Sequence, residues 1–296
     1  MVDRFKIDRR KRGDKKIPCA LCNGRPKFYE GALYWFPQDG YIRLIGHCCA
    51  NKHDKEQYQR AGNELTLKDS IRESGDFLER HIPHAAAIVA ELAKLERIVG
   101  TLSMYRSDLK TVQGVYRTLQ NAQRRQNGDL KVMVRIKQTE VRKFLQDEGV
   151  ADTATEEPVV IHRIEGGEMV DDRFSLRGEY HTLLLFFSEL ARESDATAYV
   201  IELFNHGPKV IDLAADFSRN IRRIKELHAA ILSAVSFFSD NNLAGLDRYG
   251  RHKDSDVPFR VHRNGDDVRI ELTFSDSGAD FKQGQALDVP TILLPL

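Results

Sequence analysis

The chain has 296 residues, 41% of them hydrophobic and 30% charged, enough for a sizeable buried core and two or three domains. Forty-five Lys and Arg against forty-four Asp and Glu leave a net charge of +1, which excludes a uniformly basic or acidic polyelectrolyte. No run approaches the roughly 18 apolar residues of a membrane span, and the charged N-terminus has no apolar stretch behind it, so a cytoplasmic protein with reduced thiols is expected.

Residues 1–16, "MVDRFKIDRRKRGDKK", hold eight basic and three acidic side chains and read as a flexible basic tail. Its densest cluster is Arg9, Arg10, Lys11 and Arg12. Next comes "IPCALCNGRPKF", with Cys19 and Cys22 spaced as C-x2-C before an Asn-Gly turn. A tight turn between two thiols at that spacing brings both to one cation. In "KFYEGALYWFPQDGYIRLIG", aromatic and aliphatic residues flank a "PQDG" turn, the pattern of a β-hairpin. The stretch "GHCCANKH" (46–53) then crowds two cysteines and two histidines into eight positions and leads into a polar, helix-permissive segment.

Four cysteines in a reduced chain of this size need no disulfide, and their close spacing points to a metal. Cys49 and His53 stand four apart and share one face of a helix. Cys48 and His53, five apart, reach a common ion if the helix starts after Cys48. The expected ligands are Cys19, Cys22, Cys49 and His53, with Cys48 competing for the third place and His47 a further candidate. A closed four-ligand set of this kind holds a structural Zn2+. Knuckle, hairpin and helix in that order resemble the treble-clef type of zinc finger over residues 17–60. The resemblance implies that the second ligand pair comes from the first turn of the closing helix; here that pair departs from C-x2-C.

From Pro83 the pattern turns helical. Ile88, Leu92, Leu95, Val99 and Leu102 follow a coiled-coil or bundle seam, and Tyr105, Leu109, Val112, Tyr116 and Leu119 repeat it out of register. The spacing predicts either one long helix over 84–126 or a helical hairpin turning at "GTLS", which Gly100 favours. "LKVMVRI" (130–136) and "PVVIHRI" (158–164) predict strands, with a helix over 139–149 between them. Leu176, Tyr180, Leu183, Phe187 and Leu190 predict another helix. A longer one over about 210–239 carries Ala214, Phe217, Ile221, Ile224, His228, Ile231, Val235 and Phe238. His228 is expected to be a core histidine hydrogen-bonded across helices. "PFRVHRNGDDVRIELTF" predicts a hairpin, and "TILLPL" a closing strand. The fold expected is α+β and mostly helical. Its division is 1–16 tail, 17–66 finger, 67–145 helical region, 146–160 linker and 161–296 α+β domain.

The chain has no G-x4-G-K-[ST] or G-x-G-x-x-G loop and no G-x-S-x-G elbow, so no cofactor other than the metal is expected. Asp247, Tyr249, His252 and Asp254 in "LDRYGRHKDSD" offer groups for acid–base work, a set that polar surface loops commonly hold. Lys110, Arg117 and Arg124 recur every seven residues and lay a basic stripe beside the second seam. Residues 104–143 carry ten basic against three acidic side chains, and 151–200 four against eleven, so the stripe faces either a polyanion or this acidic stretch. The function expected is binding without catalysis, with nucleic acid held by the tail, the finger and the basic helix face. The alternatives are an oligomeric scaffold, such as a homodimer joined through a helical seam, and a His-Asn-His-type nuclease using His47 and His53.

Overall fold

The computed structural model describes residues 3–6, 15–22, 26–36, 40–53, 55–135, 156–193, 195–275, 277–283 and 287–295. The basic cluster at 9–12, the "NG" turn after Cys22 and the helix expected over 139–149 lie outside these residues. The chain is α+β and mostly helical. It forms two compact units, Met1–His81 with Asp195–Phe217, and Ile82–Ser194 with Ser218–Leu296.

The first unit begins with short strands: β1 (Asp3–Lys6), β2 (Ile17–Pro18), β3 (Pro26–Phe28), β4 (Glu30–Phe36) and β5 (Tyr41–Gly46). The β4–β5 hairpin is in register from Gly31↔Gly46 to Phe36↔Tyr41. Gly40 closes its turn at φ +68°, a backbone region that glycine enters without strain. Inside the stretch expected as a tail, β1 pairs antiparallel with β4 and widens the hairpin to three strands. α1 (His47–His53) follows β5 directly, and α2 (Lys55–His81) continues for 27 residues. α2 has no continuous apolar stripe and is carried mainly by helix-forming residues; it is buried at Gly62, Gly75 and Leu78 and mostly exposed between Asn63 and Glu73.

In the second unit, α3 (Ala85–Ala93), α4 (Glu96–Thr111) and α5 (Gln113–Arg125) replace the single helix or "GTLS" hairpin expected. Every residue of both seams, from Ile88 to Leu119, is buried. The chain bends at Lys94–Leu95 and again at Val112, while Gly100 lies inside α4. At each bend the hydrogen bonds shorten to i→i−3, Leu95 to Leu92 and Val112 to Leu109. The change of phase between Leu102 and Tyr105 falls inside α4, between the two bends, and the stripe stays buried on both sides of it. Asn127 and Gly128, both at positive φ, then turn the chain into β6 (Asp129–Arg135). β6 pairs antiparallel with β7 (Glu156–Arg163) as a two-stranded ribbon.

α6 (Leu176–Leu190) starts at the cap Ser175, whose hydroxyl accepts from the Gly178 N–H, and buries the expected stripe against α3 and α4. The chain then returns to the first unit with α7 (Ala196–Phe204), which packs on α2 where Gly75 leaves room for the Phe204 ring. α8 (Lys209–Ser236) begins in the first unit and ends in the second. Its buried face runs Val210, Ala214, Phe217, Ile221, Ile224, Leu227, Ile231 and Ala234. His228 is half-buried, and its Nε2 donates to the Pro290 carbonyl at 3.1 Å. These stripes are covered by the chain's own elements, so their burial requires no partner.

α9 (Asp240–Gly250) lies against β7 and β8 (Phe259–Asn264); β9 (Asp267–Leu272) and β10 (Gly278–Lys282) complete a sheet ordered β10-β9-β8. The predicted β8–β9 hairpin turns at Gly265 with φ +60°. "TILLPL" forms no strand at residues 291–295. Pro290 and Pro295 lack the N–H groups that a ladder needs. The third strand is instead the short β10, which buries Ala279 and Phe281 beside Tyr105 and Phe238. The Tyr105 hydroxyl donates to the Lys282 carbonyl and accepts from the Lys282 N–H, both at 2.8 Å.

Candidate metal centre

Three thiols meet where the knuckle, the hairpin and α1 converge. Cys19 and Cys22 lie in the turn between β2 and β3, closed by the Cys22 N–H donating to the Cys19 carbonyl at 3.1 Å. The Ala20 N–H donates to the Leu44 carbonyl at 2.9 Å and fastens this turn to β5. Because β5 ends at Gly46 and α1 starts at His47, Cys49 is carried back over the knuckle. Its Sγ lies 2.8 Å from Cys22 Sγ, and the Sγ atoms of Cys19, Cys22 and Cys49 are all within 4.8 Å of one another. Sulfur atoms bound at about 2.3 Å around one tetrahedral ion stand roughly 3.8 Å apart, so three thiols gathered within 4.8 Å are in reach of one cation, with Cys22 and Cys49 closer together than bound thiolates stand. The three cysteines can therefore hold a metal ion.

The electrostatics divide the thiols. Cys49 is pushed up to about 12 by the hydrogen bond with Cys22, then by burial and by Cys19. Burial also works to raise Cys19, but the Gly46 and Leu21 N–H groups and the two neighbouring thiols outweigh it and bring Cys19 below its ordinary value. The Gly46 N–H lies 3.4 Å from Cys19 Sγ. Without a cation the cluster thus favours a single negative charge, on Cys19, and Cys49 keeps its proton until an ion takes its place. Thiolate donors favour zinc and other soft or borderline ions over magnesium and calcium.

The core beneath the site is small. Phe28, Ile45 and Ala50 are buried with Cys19, and Ile17, Tyr34, Phe36 and Leu44 pack around them. Gly31 and Gly46, cross-strand partners at the base of the hairpin, make room for it. A Cβ at Gly31 would stand 2.3 Å from the Ile45 carbonyl oxygen, and one at Gly46 would stand 2.9 Å from the Phe28 ring. The need for these glycines could not be read from the sequence, whose only hint is that each stands at a strand end. A cleft of about 430 Å³ fronts the thiols, with Tyr29, Glu30 and His47 among its walls.

Of the two adjacent cysteines, the structure gathers Cys49 with Cys19 and Cys22. Cys48 is exposed, and its Sγ lies 3.2 Å from His47 Nε2. Side by side on a helix, the two thiols point about 100° apart, so one ion draws on only one of them. His53 closes α1 one turn beyond Cys49; its side chain lies outside the described residues.

The candidate nucleic-acid contacts are dispersed. Arg9, Arg10, Lys11 and Arg12 lie outside the described residues. The bend at Val112 places Lys110 on α4, apart from Arg117 and Arg124 on α5. Lys110 pairs with Asp172 at 2.8 Å, whereas Arg117 and Arg124 are exposed. Arg106, which the sequence did not single out, donates to the carbonyls of Glu168, Met169, Asp171 and Phe174 and holds that loop. The stretch read as a loop at 246–256 is helical through Gly250, and its groups are engaged in the fold. Asp247 accepts from the Val261 N–H and pairs with Arg251, while Tyr249 is buried near Phe259. Among the described residues no helix is long and apolar enough to cross a membrane. Compared with protein-family models, with curated proteins and with solved structures, the chain matches none.

Proposed function

We propose that the thiol cluster is a structural zinc site completed by His53, and that the finger it organises binds nucleic acid. The convergence of Cys19, Cys22 and Cys49 from two distant stretches of chain carries this reading. So small a core cannot hold a knuckle, a hairpin and a short helix together unaided, and a bound ion supplies the missing cross-link. The spacing of His53 from Cys49 on α1 makes it the fourth ligand. Charge supports the second half of the proposal. The first sixty residues carry fourteen Lys and Arg against seven Asp and Glu, a net +7, whereas the other residues carry thirty-one against thirty-seven, a net −6. The cationic excess is thus concentrated around the finger.

Metal analysis and a salt titration test both halves. Purified protein is expected to hold one zinc per chain, lost in Cys22→Ser and Cys49→Ser and kept in Cys48→Ser. Binding to mixed-sequence nucleic acid is expected at about 50 mM salt and to weaken by roughly a hundredfold or more at about 200 mM. Zinc retained in Cys49→Ser, or the absence of binding at low salt, refutes the corresponding half.

A further inference from the structure

We propose that the β4–β5 hairpin is a stacking platform for unpaired bases, so that the nucleic acid bound is single-stranded. The inference rests on the nucleic-acid reading above and adds the class of ligand and the residues that meet it. The finger is rich in aromatic side chains, and the structure sorts them into two groups. Phe28 at the cysteine end is 8% exposed and belongs to the core, and Tyr34 and Phe36 pack around it. Toward the tip, Trp35 is 51% exposed, Ile42 53% and Tyr41 67%.

Register decides how these side chains are displayed. Trp35 is paired with Ile42, so indole and isoleucine share one face of the hairpin. Phe36 is paired with Tyr41, and Tyr34 with Arg43, which puts the phenol and the guanidinium together on the other face. Arg43 is exposed and lies 5.5 Å from the centroid of the Phe36 ring. Tyr41 beside Arg43 thus offers a ring and a cation to an unstacked base and its phosphate, and Trp35 beside Ile42 offers a second base a flat apolar surface on the opposite face. In a duplex the base faces are stacked on one another and cannot reach these rings, so an exposed tryptophan gains little there. A nucleic acid is favoured over a protein partner by charge, since the net +7 of the first sixty residues of the sequence complements a polyanion.

Trp35 is the only tryptophan of the chain, so its fluorescence reports on this site alone. The zinc-loaded protein is titrated with a mixed-sequence DNA strand of about 20 nucleotides, the same strand as RNA, and the corresponding duplex. Single strands are expected to quench Trp35 as they bind. Trp35→Ala is expected to bind them about tenfold or more weakly, with duplex binding within about twofold of the unaltered protein and Trp35→Phe recovering most of the loss. An unchanged zinc content and circular dichroism spectrum show that the variant is folded. Single-strand binding without quenching, or unchanged in Trp35→Ala, overturns the platform and leaves the nucleic-acid reading standing. Binding to neither strand nor duplex at low salt overturns both. If sedimentation shows a dimer that Trp35→Ala dissolves without altering nucleic-acid affinity, the face belongs to a second copy of the chain and the platform is likewise overturned.

Discussion

At the scale of single residues, the candidate site depends as much on two missing side chains as on three thiols. Gly31 faces the Ile45 carbonyl so closely that the smallest side chain collides with backbone, and backbone at the foot of a hairpin has nowhere to retreat. Gly31→Ala is therefore expected to destabilise the metal-loaded finger by about 1–3 kcal/mol, seen as a lower melting temperature and faster release of zinc to a chelator. A melting curve and release rate equal to those of the unaltered protein would show that the strand can shift. The thiols themselves were legible in the sequence because C-x2-C and a Cys/His cluster beyond a hairpin have few other uses. What the sequence left open was Cys48 against Cys49. That choice depends on where the helix begins, and the start of α1 at His47 turns Cys49 inward.

At the scale of elements, the junction of α4, α5 and the loop before α6 is polar and holds an ionised carboxylate. The Asp172 carboxylate accepts from the Tyr116 hydroxyl and the Gln120 amide and pairs with Lys110. Burial works to raise Asp172, but the hydrogen bonds from Lys110, Tyr116 and Gln120 outweigh it and bring it from its ordinary 3.8 to about 2. Since the folded value is the lower one, the ionised group stabilises the fold above about pH 4, and this contribution fades as the pH falls toward about 2. Urea unfolding from pH 5 down to about pH 2 is expected to show Asp172→Asn less stable than the unaltered protein at pH 5, with the gap closing at the acid end. A gap that stays constant with pH would sink the assignment. The apolar seams of these helices were legible, since a 3–4 rhythm over ten buried positions admits only a helix facing a core. The bends were not. They rest on i→i−3 bonds at Leu95 and Val112, ordinary residues whose backbone yields to packing, while the nearby Gly100 and Gly114 stay helical. β10 was missed for a related reason: five residues with two apolar side chains make too short a signal.

At the scale of the whole molecule, two kinds of stability coexist in one chain. The second unit rests on a large apolar core and on buried polar anchors such as Asn242, whose side chain takes the Glu165 N–H, reaches the Phe237 carbonyl and meets His162. The finger rests on a few side chains and, in the proposed reading, on an ion. Chelation followed by hydrogen exchange is accordingly expected to release the amides of Ala20, Cys22 and Gly46 by orders of magnitude while those inside α4 and α5 stay protected. Uniform release throughout the chain, or none, would contradict that division. The Tyr105–Lys282 contact has a consequence for life in a crowded solution. The outermost strand of a sheet invites a stranger to zip alongside, which is how fibrils grow. Here one phenolic oxygen answers the outward main-chain groups of Lys282 as an adjoining polypeptide would, so that stretch of rim is sealed from within.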